Sequence, residues 1–177
     1  SLLPDDPEFY DELARRSEEP VANILKRTTL IVADAERSLA FYRDLLGFSV
    51  WYDGEIVLSG RGVAAGAAGD RTRLVIMKAA DPVIGMIGLL QWLEPTLPAP
   101  PPRDRLGVGD VVFVMQGDDV FGTHRRLVAA GVRVFAEPHP FEVRGADGAM
   151  LRMISMSFWD PDGYFIELNE RRGEQRP

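Results

Sequence analysis

The hydrophobic period of the chain changes several times, and the changes come in the same order twice. NILKRTTLIVAD, from Asn23, has the apolar and β-branched density of a strand. In AERSLAFYRDLLG, which follows, Ala35, Leu39, Tyr42, Leu45 and Leu46 share one helical face, with Asp34 as the cap and Gly47 as the stop. FSVWYDGEIVL, TRLVIMKA and GMIGLLQWL then read as three strands, so the first half is βαβββ. GDVVFVMQ, the helix DDVFGTHRRLVAAG and the strands VRVFAEPHPFEV, AMLRMISMSFW and YFIELNE repeat that order. Each half alone leaves one sheet face uncovered. The expected fold is therefore α+β: two βαβββ repeats forming a curved eight-stranded sheet around a concave pocket, helices outside.

Between the halves, EPTLPAPPPRDRLG carries prolines at 95, 98, 100, 101 and 102 and reads as a stiff linker. The expected divisions are a helical extension over 1–22, a first half over 23–94, a linker over 95–105, a second half over 106–172 and a tail over 173–177. Within the extension, Asp6 and Pro7 predict the start of a helix running from Pro7 to Glu18, with Phe9 and Leu13 on its apolar side.

Near the C-terminus, FWDPDGYFIEL predicts a hairpin turning at Asp160–Gly163. Alternation after the turn puts Phe165 and Glu167 on one face and Tyr164, Ile166 and Leu168 on the other. A carboxylate thus stands among apolar neighbours. Met153, Ser155 and Ser157 share a strand face that can line a cavity, while SGRGVAAGAAGD lacks the GxGxxG spacing of a phosphate cradle and reads as a loop at the pocket rim. The tryptophans at 51, 92 and 159 read as core or interface residues.

Composition narrows the function classes. The 177 residues carry a formal net charge of −7, which argues against a nucleic-acid or anionic-membrane surface. There are no cysteines, which removes disulfides, thiolate nucleophiles and cysteine-ligated metals. The longest apolar run, VIGMIGLLQWL, is too short to span a bilayer, and the acidic start SLLPDDPEFYDELARRSEEP has no signal-peptide core. A cytoplasmic location is the resulting expectation.

TTLIVADAERSLAFYRDLLGF in the first half and FWDPDGYFIEL at the end of the second resemble the vicinal oxygen chelate superfamily, which includes glyoxalase I, bleomycin-resistance proteins and extradiol dioxygenases. The resemblance runs from about Asn23 to Arg171. It implies metal ligands on the first and fourth strands of each half, and places Arg27, Gln91, Asp110 and Glu167 at those positions. Only Glu167 is a usual ligand there. A unit positive charge such as Arg27 about 4 Å from a divalent ion costs roughly 8 kcal/mol at an effective dielectric near 20. His124, in the second helix, and His139, read as a loop residue between two prolines, occupy no ligand position.

The resulting expectation is a homodimeric small-molecule-binding protein without metal or other cofactor, in which Arg27, Gln91, Asp110 and Glu167 replace the metal centre. It acts either by sequestration or as a lyase or isomerase with Glu167 as proton carrier. The alternative is a metal-dependent lyase similar to glyoxalase I, holding Mg²⁺ or Mn²⁺ on Gln91, Asp110 and Glu167.

Overall fold

A computed structural model describes residues 6–15, 20 and 22–175. Helix α1 spans Pro7–Ala14, shorter than the predicted Pro7–Glu18; residues 16–19 lie outside the described residues. The first half is β1 (Arg27–Val32), α2 (Ala35–Leu39), β2 (Ser49–Val57), β3 (Arg71–Lys78) and β4 (Met86–Glu94). The second is β5 (Val112–Gln116), α3 (Val120–Ala129), β6 (Val134–Arg144), β7 (Met150–Trp159) and β8 (Phe165–Gln175).

The α+β class and the doubled βαβββ order are as expected. The eight strands form two four-stranded mixed sheets, ordered β1-β4-β3-β2 and β5-β8-β7-β6, without a closed barrel. In each, the first and last strands run parallel and the other pairs antiparallel.

Helix α2 departs from simple periodicity. Asp34 caps it through the amides of Glu36 and Arg37, and it then widens into a π-helical stretch, Ala40–Leu45, with the Leu46 amide reaching back five residues to the Phe41 carbonyl. The wider turn brings Phe41 inward beside Tyr42, at 3% and 0% exposure. A 3.6-residue period predicts only Tyr42 there.

One apolar cluster joins the halves. Leu30, Val32, Val75, Met77, Ile87 and Leu89 from the first sheet pack with Leu39, Phe41 and Tyr42, and on through to Val120, Leu127, Met156, Phe158 and Ile166 of the second half. Each sheet therefore turns its helix-covered face to this shared core and its other face, the open face, away from it.

The DPDG turn clasps this seam. Asp160, 5% exposed, accepts from the Tyr42 hydroxyl and from the amides of Asp162 and Tyr164. Asp162 accepts from the Ala33 amide, from Arg37 and from the Ser38 hydroxyl, and the Tyr164 hydroxyl donates to the Ile31 carbonyl. Turn chemistry predicted a hairpin; its two carboxylates also hold the halves together.

Candidate functional site

Strand register decides which predicted site residues meet. On β8 the helix-facing residues are Ile166, Leu168 and Glu170, which leaves Phe165, Glu167 and Asn169 on the open face. Glu167 pairs across to Ser157 and Asn169 to Ser155 on β7, while Ala136 and His139 of β6 lie opposite Ser157 and Ser155. These side chains surround a hollow of about 280 Å³ lined by Phe135, Ala136, His139, Phe141, Ser155, Ser157, Phe165 and Glu167. Phe165 sits at its wall in edge contact with both Trp159 and Phe135, at centroid distances of 4.8 and 5.7 Å. The face predicted for Glu167 is the face it occupies.

Gln91 does not join it. Its register partners, Val32 and Arg73, face the helix side, and its Oε1 accepts from the Ala35 amide at 2.9 Å, satisfying the first turn of α2. Glu170 does the same for α3, accepting from the Val120 amide at 2.9 Å. The segment from Ile87 to Gln91 therefore matches Ile166 to Glu170. Gln91 corresponds to Glu170, and the counterpart of Glu167 is Gly88. Gly88 leaves space that Thr29 and Arg27 use: a Cβ there would lie 2.9 Å from Thr29 Oγ1 and 3.4 Å from Arg27 Cδ.

The same alignment moves the first-strand pair. Thr29 stands beside Gly88 as Val114 stands beside Glu167, so the counterpart of Arg27 is Val112 and not Asp110. Asp110 precedes β5, where it accepts from the Gly107 amide and pairs with Arg103 at 2.6 Å. Those two contacts, the amide foremost, hold its carboxyl below the usual range. Arg27 is exposed on the open face of the first sheet, and among the described residues it forms no ion pair with Asp110 or Glu167.

The donors expected for a divalent ion do not fit one. Gln91 lies on the far face of its sheet, Asp110 is engaged outside its strand, and only Glu167 has the right chemistry in the right place. Among the described residues no group of three His, Asp or Glu side chains could hold a metal.

His139 was missed. It lies within β6 rather than in a loop, and its ring reaches the hollow. Two register irregularities, between Val134 and Ala136 and between Ala136 and His139, break the alternation that would have placed it. The rim loop following β2 lies over the first sheet's Trp92, with the Trp92 indole donating to Asp70 at 3.0 Å and a Cβ on Gly66 colliding with that pair. A larger hollow, about 1210 Å³, opens under the proline-rich linker at the seam. Size does not make it the better candidate: Arg37, Arg103 and Arg133 on its wall are already engaged by Asp162, Asp110 and the Trp159 ring.

Residues 24–168 match the model of the Glyoxalase/Bleomycin resistance protein/Dioxygenase superfamily. A glyoxalase family protein from Bacillus cereus superposes with a TM-score of 0.64 at 18% identity, covering 89% of this chain and 99% of its own. An antibiotic-binding protein from Streptomyces sp. CB03234 gives 0.52 at 20% identity, covering 88% and 100%. No protein of curated function matches the chain. Likeness at these identities concerns the fold.

Proposed function

We propose that this chain, which belongs to the Glyoxalase/Bleomycin resistance protein/Dioxygenase superfamily, is a small-molecule-binding protein whose site is the open face of the second sheet. The observation that carries this reading is the placement of Glu167 beside Ser155 and Ser157 in a hollow walled by Phe135, Phe141 and Phe165. A few polar groups converging within an apolar concavity is the usual anatomy of a ligand site. Binding proceeds without a metal, because the donor set does not assemble. The antibiotic-binding Streptomyces neighbour makes sequestration the favoured mode; Glu167 is the proton carrier if the bound molecule is also turned over.

A second copy completes the site. Val112, Val114, Phe135 and Phe141 are 41%, 67%, 54% and 41% exposed, more apolar surface than a monomer's binding face leaves to water. A homodimer that sets one copy's first sheet against the other's second covers these side chains and leaves Glu167 to the ligand.

An amide-resolved NMR titration with a panel of aromatic and polycyclic small molecules tests the site. Shifts should concentrate at Ser155, Ser157, Phe165 and Glu167. Ligands whose shifts map to the seam hollow instead would overturn the assignment.

A further inference from the structure

The hollow on the second sheet is lined by three phenylalanine rings, two serines, His139, Ala136 and one carboxylate, Glu167. Glu167 uses one carboxylate oxygen, Oε1, to accept from Asn169 Nδ2 at 2.8 Å, and Oε2 has no partner among the described residues. His139 Nδ1 lies 2.8 Å from the Glu137 carbonyl, which can only accept, so Nδ1 carries a hydrogen and is already spent on that carbonyl. Asn169, 8% exposed on the same face, has its Oδ1 buried without a partner among the described residues. No lysine or arginine lines the hollow.

The rings add to this field. An aromatic face is the negative end of a quadrupole and attracts cations. This cluster already does so: the Arg133 guanidinium sits 4.6 Å from the Trp159 centroid and that of Arg105 5.4 Å from Phe135. Both rings touch Phe165, the wall nearest Glu167 in sequence.

From this arrangement we infer that the hollow selects a cationic ligand group: a protonated amine carried on an aromatic body, the ammonium donating to Glu167 Oε2 and the body packing on Phe135, Phe141 and Phe165. The inference rests on the proposed location of the binding site and adds the charge of what binds there. The serine hydroxyls can turn their lone pairs to the same ammonium, whereas an anion would meet the Glu167 carboxylate with no cation beside it.

Three probes of similar shape separate the possibilities: 2-phenylethylamine, 2-phenylethanol and 3-phenylpropionate, each titrated into the full chain at pH 7 by calorimetry with NMR mapping. The amine should bind on the order of tenfold more tightly than either of the others, and Glu167→Gln should reduce it to their level. If the alcohol or the carboxylate binds as tightly as the amine, and Phe165→Ala abolishes that binding, the charge preference is overturned while the site stands. If none of the three binds, or Phe165→Ala and Glu167→Gln both leave binding unchanged, the site is overturned as well. Should Glu167→Gln fail to fold, the ranking of the three probes on the wild-type chain decides alone.

Discussion

The Tyr42 hydroxyl donates to Asp160 Oδ2 at 2.8 Å, joining the π-helical stretch of one half to the turn of the other across 118 residues of sequence. Both groups are buried, and burial, followed by the Asp160 charge, pushes the Tyr42 phenol well above its ordinary value. The phenol therefore acts as a fixed donor.

Tyr42→Phe removes that donor and leaves Asp160 with only its two backbone amides. The expected loss of stability is about 1 to 3 kcal/mol, the range for leaving a buried acceptor short of a partner. Urea unfolding measures it. A loss within error of zero would mean that water replaces the hydroxyl.

Asp160 also gives a signed pH dependence. Burial raises its carboxyl above the ordinary 3.8, against the lowering effect of its hydrogen bonds. A raised folded value means that protonation favours the folded state: the contribution is complete below 3.8 and is lost as pH rises through the folded value. Asp160→Asn lacks this titration. The stability difference between wild type and Asp160→Asn should therefore widen in favour of wild type as pH falls from 7 toward 4. A difference that narrows over that range contradicts the burial argument.

Gln91 supplies a control for the proposed site. Gln91→Ala should cost about 1 kcal/mol, as loss of a helix-terminal acceptor does, without weakening any ligand bound at the second sheet. Thermal denaturation gives the first quantity and titration the second. Weakened binding at unchanged fold would return Gln91 to the site.

The exposed face of the second sheet tests the dimer. Val114→Asp should weaken self-association without changing unfolding when the protein is diluted to monomer, because Val114 is 67% exposed in the single chain. Sedimentation that stays monomeric throughout, or a dimer that Val114→Asp leaves unchanged, rules out the paired arrangement.

Local signals in the sequence survived into the structure where period and turn chemistry agreed. Asp34 and Asp119 cap their helices, and Phe165 and Glu167 share a face, because alternation counted from a well-defined turn leaves little room for slip. Matching Arg27 with Asp110 failed although the helix caps carried the right spacing: seven residues before Asp34 and Asp119 stand Arg27 and Val112, the pair that strand register matches. Aligning IGLLQ with IELNE by their helix-facing residues recovers Gln91 with Glu170 and Gly88 with Glu167. Phe41 and His139 were illegible for another reason: a π-turn and two strand irregularities shift side chains by a residue through hydrogen bonding that no composition rule marks.

The clasp made by Asp162 has a consequence for synthesis. Ala33 and Ser38 gain that partner only after more than a hundred further residues have been added, so the nascent first half must leave the ribosome with its seam uncovered. Phe41 lacks its Phe158 contact and Tyr42 its Asp160 acceptor until the final hairpin arrives, which makes closing the seam a late step of folding.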